Sequence, residues 1–143
     1  MGQIVKLAED ISTLPTIETD GEWKPFWDGA KRGKLIIQKC PACGHRQFYP
    51  RNLCMECAAT PEWEVATGKG TLYTYSVVQQ HYLAPFKNML PYVVVMVDLA
   101  EGVRMMGNLI DVDVDAIAIG MPLEVALVAV RDDLTVPYWR PAA

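Results

Sequence analysis

The two Cys-x-x-Cys pairs, Cys40/Cys43 and Cys54/Cys57, contain every cysteine of the 143-residue chain and stand ten residues apart. Each pair can wrap one turn of backbone around an ion so that main-chain amides point at the thiolates. Four thiolates in tetrahedral array suit zinc, which undergoes no redox change and accepts a closed sulfur shell. Gly44 follows the second ligand, where a tight turn benefits from an unrestricted backbone. A single iron would use the same ligands. A thioredoxin-like dithiol would occupy one pair and leave the other unexplained, and two disulfides would need an oxidising compartment. With four protein sulfurs on the metal there is no open position for water or substrate, so the ion is expected to fix shape and to supply folding energy to a segment with little apolar core.

The lead-in MGQIVKLAEDISTLPTIETDG joins no basic end to a long apolar run, and the apolar run VVVMV at 93–97 is far below membrane-spanning length. A cytoplasmic chain without membrane contact is expected. One ordinary domain, or a small core with a metal-stapled appendage, is what this length holds. The net charge of −4 hides an asymmetry. Lys31, Arg32, Lys34, Lys39, Arg46 and Arg51 are unopposed by any acid between Gly29 and Met55, which leaves the remainder at −10. That patch could meet phosphate or offset the charge of a metal-thiolate cluster.

Residues 1–20 show no sustained periodicity and read as a loose arm. Trp23, Phe26, Trp27 and Ala30 then form one face of a short helix, with Pro25 tolerated in its first turn and Gly33 ending it. That face either packs on the neighbouring module or docks a partner. LIIQ is a strand entering the cysteines, so residues 21–66 make a helix plus ribbon, and PEWEVATGKG reads as a turn-rich hinge.

Residues 67–143 hold five strand candidates: TLYTYSVV, YVVVMVDL, GVRMMGNLI, PLEVALVAV and LTVPYW. YVVVMVDL is apolar on both faces, as in a strand covered on each side, and Pro137 argues for an edge. DVDVDAIAI is the one weak helix candidate. Its Asp111, Asp113 and Asp115 lack the glycine and glutamate of a calcium loop and fit a capping turn. Few strands, with Gly68, Gly70, Gly102 and Gly107 near bends, favour a small barrel of the oligonucleotide/oligosaccharide-binding (OB) type over a sandwich. The fold class is therefore mainly β: an N-terminal helix and four-cysteine zinc ribbon followed by an OB-fold barrel.

With every cysteine committed, no thiol nucleophile remains, and neither Ser12 nor Ser76 lies in a Gly-x-Ser-x-Gly context. His45 reads as an exposed loop residue. His81 opens a loop carrying Tyr82, Phe86, Lys87 and Asn88; it either closes that loop or contacts a ligand, and no local partner equips it as a general base. A nucleic-acid function would use the basic residues on phosphate and Tyr73, Tyr75, Tyr82 or Phe86 for stacking. The acidic barrel opposes a polyanion, so no nucleic-acid partner is expected and a bridging subunit fits the charge better.

FWDGAKRGKLIIQKCPACGHRQFYPRNLCMEC, GKGTLYTYSVV, LPYVVVMVDLAEGVRMMGNLI, IGMPLEV and VPYWRPA, in this order, resemble the rubredoxin-like zinc ribbon plus OB-fold family known as domain of unknown function 35. Where FYPR stands here, many relatives carry two prolines before the arginine. The resemblance implies Cys40, Cys43, Cys54 and Cys57 as zinc ligands. It also implies an auxiliary, non-catalytic role in a hetero-oligomer with a thiolase-fold enzyme, an acyl-CoA acyltransferase or β-oxoacyl-CoA thiolase. Helix and ribbon would dock that subunit while the barrel helps form the acyl-CoA channel. Lys31, Arg32, Lys34, Arg46 and Arg51 are then candidate contacts to CoA phosphates, with His81 and Lys87 as further ligand contacts. Some relatives accompany hydratase-like proteins instead, and a free-standing acyl-CoA binder is a third possibility.

Overall fold

The structure is a computed structural model that describes residues 2–143. A 3-10 turn, Gly21–Trp23, leads into helix α1, Lys24–Lys31, with Pro25 in its first turn. Phe26, Gly29 and Ala30 form its buried side. After the helix the chain enters a three-stranded ribbon sheet. Strand β2 is Ile36–Lys39, β3 is Arg46–Gln47 and β4 is Glu62–Val65, in the order β3-β2-β4.

The last of these corrects the hinge expected from PEWEVATGKG. Glu62–Val65 pairs antiparallel with β2, Gln38 opposite Trp63 and Ile36 opposite Val65. Its Glu-Trp-Glu-Val pattern carries no continuous apolar face, and its strand character comes from a partner that arrives across the cysteine loops. Only the short stretch around Gly68, with φ of 76°, turns the chain into the barrel.

Five strands close that barrel: β5 (Lys69–Val78), β6 (Tyr92–Leu99), β7 (Arg104–Leu109), β9 (Pro122–Arg131) and β10 (Leu134–Pro141), with the two-residue β8 (Val112–Asp113) outside it. The order is β10-β7-β6-β5-β9. Leu72, Val93, Val95, Val97, Leu99, Met105, Leu109, Leu123 and Trp139 fill the interior. In β6 burial alternates strictly, so Val94 and Met96 on the other face are only half-buried, which corrects the reading of a strand covered on both sides. A barrel wall needs one buried face, and the apolar outward residues do not change that. In β5 a register shift between Leu72 and Thr74 breaks the simple alternation of TLYTYSVV.

Closure of the barrel is asymmetric. β10 pairs with β9 along its whole length but meets β7 in parallel at a single register position, Trp139 opposite Leu109. Pro137, which has no N–H to donate, precedes that one paired position. Helix α1 packs across β10, β9 and β2 and so joins ribbon to barrel.

The N-terminal segment is held rather than loose. Ile4–Val5 forms strand β1 on β8. Leu7, Ile11 and Leu14 pack on a second apolar cluster around Ile110, Val130, Leu134 and Tyr138 on the barrel's outer face. The Arg131 guanidinium donates to the Leu14 carbonyl at 3.0 Å and the Ser12 carbonyl at 3.3 Å. Single apolar residues without a period give no helix or strand signal, yet each finds a place on a face that already exists. DVDVDAIAI likewise forms no helix: it supplies β8 and a 3-10 turn, Val114–Ala116, in which the Asp113 carboxylate caps the Asp115 amide at 2.9 Å. No helix of the described residues is long and apolar enough to cross a membrane.

Candidate metal centre

The four cysteines converge from two loops built alike. In the first, the Cys40 amide donates to the His45 carbonyl at 2.8 Å, and the Gly44 amide donates back to the Cys40 carbonyl at 2.9 Å. In the second, the Cys54 amide donates to the Ala59 carbonyl at 2.7 Å and the Ala58 amide to the Cys54 carbonyl at 2.9 Å. Each turn needs a left-handed residue at the same place. Gly44 has φ of 78° and Ala58 has φ of 65°, so the first loop uses the residue suited to that conformation and the second uses alanine.

The sulfur atoms of Cys40, Cys43, Cys54 and Cys57 all lie within 4.8 Å of one another. Cys40 and Cys57 stand 3.5 Å apart, Cys43 and Cys54 3.7 Å. A tetrahedron with metal–sulfur bonds of about 2.3 Å has edges of about 3.8 Å. The donor set and its spacing therefore fit a four-coordinate thiophilic ion. Among the described residues no histidine joins the group, and His45, half-buried beside it, contributes its carbonyl to the turn.

Main-chain amides face the sulfurs. Cys43 N–H approaches Cys40 Sγ at 3.5 Å and Glu56 N–H approaches Cys54 Sγ at 3.4 Å. The Cys43 amide, set against partial burial, brings the Cys40 thiol down to about 7. For Cys43 the His45 amide works downward, but burial and the neighbouring Cys57, Cys40 and Cys54 sulfurs outweigh it and push the thiol up to about 12. Four sulfurs this close cannot all carry charge unless a cation lies among them.

Beneath the loops lies a device with no cysteine-like signature in the sequence. Gln38 and Gln47 are buried, at 4% and 7% exposure. Gln47 Nε2 donates to Gln38 Oε1 at 2.8 Å and to the Leu53 carbonyl at 3.2 Å, while Gln47 Oε1 accepts from the Met55 amide at 3.0 Å. Gln38 Nε2 donates to the Arg51 carbonyl at 2.8 Å, and its Oε1 accepts from the Arg51 amide at 2.9 Å. Two amide side chains thus pin residues 51–55 from below and set where Cys54 stands. The hint available beforehand was polarity at inward-facing places of short strands.

The candidate ligand contacts do not form one group. Arg46 and Arg51 line a cleft of ≈ 340 Å³ between ribbon and barrel, where Arg104 joins them from β7. Arg46 is paired with Glu64, Arg104 with Asp98, and Arg51 stands 3.9 Å from Glu22. Arg104 also lies 3.4 Å over the Tyr73 ring. Its place was hidden because the basic patch was counted along the ribbon, whereas the cleft is assembled across modules. Lys31, Arg32 and Lys34 are exposed at the end of α1, outside this cleft. His81 and Lys87 are also outside it, in the loop before β6. There the His81 ring packs 4.8 Å from Phe86 and 6.1 Å from Tyr92, and its Nδ1 accepts from the Leu83 amide at 3.0 Å.

Two family models match the chain in succession: "ChsH2, rubredoxin-like zinc ribbon domain" over residues 27–64 and "ChsH2, C-terminal OB-fold domain" over residues 63–128. A "DUF35 domain-containing scaffold protein" of Methanocaldococcus jannaschii is 36% identical over 69% of this chain and 71% of its own length. A "Probable enoyl-CoA hydratase alpha subunit" of Thermomonospora curvata is 35% identical over 90% of this chain, which spans only 39% of that longer protein. Among solved structures, one titled "Ltp2-ChsH2(DUF35) aldolase" superposes with a TM-score of 0.79 at 34% identity, covering 91% of this chain and all of that one. The chain belongs to the ChsH2-type zinc-ribbon plus OB-fold family, DUF35.

Proposed function

We propose that this chain is a non-catalytic subunit of a cytoplasmic acyl-CoA-processing complex, in which a structural zinc held by Cys40, Cys43, Cys54 and Cys57 shapes the surface that holds a thiolase-like catalytic subunit. The observation that carries the reading is the four-sulfur cluster itself: its geometry uses all four places of a tetrahedral ion, so the metal's work is to fold the loops. Relatives named as a scaffold protein, as part of an aldolase and as a hydratase subunit support a place beside enzymes of acyl-CoA chemistry. The ribbon's outer loop presents Leu53, Met55 and Tyr49 to solvent, with Met55 68% exposed, which is the kind of flexible apolar surface that a protein partner covers. Arg46 and Arg51, joined by Arg104, are the arginines best placed to meet CoA phosphates at that boundary, because a guanidinium presents a planar fork to a phosphate.

The 35% identity to a hydratase subunit favours a second reading, in which the catalytic partner is a hydratase. Tagged chain expressed with the untagged products of its neighbouring genes and purified at low salt tests both. Recovery of a thiolase-like enzyme supports the first reading and recovery of a hydratase the second. A chain that purifies alone and by itself turns over acyl-CoA overturns both.

A further inference from the structure

Two neighbouring hollows lie where ribbon meets barrel. The first is the cleft of ≈ 340 Å³ that holds Arg46, Arg51 and Arg104, and no carboxylate lines it. Glu64, Asp98 and Glu22, the acids beside these arginines, all stand outside its lining. Arg46 gives only its Nε to Glu64, and Arg51 gives its Nη1 to the Pro50 carbonyl. Among the described residues, both Nη groups of Arg46 and Nη2 of Arg51 therefore keep donors to spare. The second hollow is a slot of ≈ 170 Å³ between β7 and β10, lined by Trp23, Phe48, Tyr49 and Met106 among others and by no charged residue. Phe48 and Tyr49 line both hollows, and one stretch of chain runs along the two: residues 102–104 line the cleft and 105–108 the slot. At about 3.3 Å per residue, Arg104 stands about 7–10 Å along the strand from Met106 and Gly107.

Spare guanidinium donors in a cleft without an acid complement an anion, which they hold in a planar fork. The slot has the room of one ring, since an apolar cavity of about 150 Å³ takes up benzene. A purine would bring polar edges between aromatic walls, and the one amide side chain there, Asn108, already donates to the Val93 carbonyl at 3.3 Å. A hydrocarbon group is the better complement. We propose that cleft and slot together bind a small amphiphilic anion, with its carboxylate or phosphate on Arg46, Arg51 and Arg104 and a hydrocarbon group of one ring's size among Trp23, Phe48, Tyr49 and Met106. A CoA held by its phosphates would carry its acyl group past the slot, because the pantetheine arm is much longer than the separation of the two hollows. The site thus shares its arginines with the proposed function but takes a different ligand.

Calorimetric titration of the zinc-loaded protein at low salt with 6-phenylhexanoate, hexanoate and 6-phenyl-1-hexanol tests this, because the second probe lacks the ring and the third the charge. The expected result is one site for 6-phenylhexanoate, with each truncated probe weaker by about tenfold or more. Arg46→Gln should weaken 6-phenylhexanoate about tenfold and leave the alcohol unchanged. Met106→Asn, at a position 54% exposed, should weaken both phenyl probes several-fold and leave hexanoate unchanged. No binding of 6-phenylhexanoate, an affinity no higher than that of either truncated probe, or titrations unchanged in both variants would each overturn the site. Tighter binding of 3′,5′-ADP that Met106→Asn weakens would overturn the hydrocarbon assignment. CoA that binds through Arg46 while 6-phenylhexanoate does not would overturn this inference and leave the proposed function standing.

Discussion

Replacing Gln47 with leucine should weaken metal binding although the residue touches no sulfur. The substitution removes three hydrogen bonds: to Gln38 Oε1, to the Leu53 carbonyl and from the Met55 amide. At about 1 kcal/mol each, the loss is about 3 kcal/mol. Leu53 and Met55 are exposed, so their freed backbone groups can turn to water and add little further cost. The metal obtains its affinity from the same folding equilibrium, and 1.4 kcal/mol is tenfold in a binding constant. The apparent zinc affinity, measured by competition with a chromophoric chelator, should therefore fall about a hundredfold. Gln38→Leu should behave alike, since it severs the Gln47 bond and both bonds to Arg51. The double substitution should cost less than the sum, because the shared bond is lost once and the two remaining side chains are apolar. A Gln47→Leu protein that binds zinc within threefold of wild type would refute the view that these amides position the second cysteine loop.

Cys54→Ala should leave the protein without a stoichiometric zinc and weaken partner capture, read by metal analysis alongside a pull-down; retained metal and capture would count against a four-sulfur site. Ala58→Gly should stabilise the metal-free protein by about 1 kcal/mol, because alanine at φ of 65° bears a steric cost that glycine at the equivalent Gly44 does not, and chemical denaturation measures it. Acidification should steepen the loss of metal. Bound sulfurs are thiolates, and Cys43, pushed up to about 12, releases a proton on binding throughout the neutral range. Cys40, brought down to about 7, already lacks its proton above that value and must release one below it. Affinity should thus fall more steeply with pH below about 7 than above it, as chelator competition across pH would show; a constant slope would contradict the assignment.

What could be read beforehand was what depends on local pattern. Cys40, Cys43, Cys54 and Cys57 announce their cluster because metal geometry constrains spacing directly, and Trp23, Phe26, Trp27 and Ala30 announce α1 because one face must be apolar. The barrel strands were visible as short apolar runs bounded by turn residues, whereas the one-sided burial of Val93, Val95, Val97 and Leu99 was not, because Val94 and Met96 make the other face apolar too. What stayed hidden depends on partners distant in sequence. Glu62–Val65 is a strand only because β2 lies beside it, and Leu7 and Ile11 are ordered only because Leu134 and Tyr138 form a surface for them. The candidate contacts show the same division. A run of like charge from Lys31 to Arg51 looks continuous on paper, but the fold sends Lys31, Arg32 and Lys34 to one place and brings Arg46 and Arg51 to Arg104 in another. Gln38 and Gln47 carry only the faint signal of polarity in short strands, because their role comes from each other and from the backbone of residues 51–55.

The proposed function gives zinc an architectural role and assigns the chemistry to a partner. The direct measurement is acyl-CoA turnover by three preparations at matched concentration: the zinc-loaded chain alone, the catalytic subunit recovered with it, and the two together. No turnover is expected from the chain alone, and activity should depend on the catalytic subunit, with the complex more active or more stable than that subunit by itself. Turnover by the isolated zinc-loaded chain, abolished by Cys54→Ala, would contradict it.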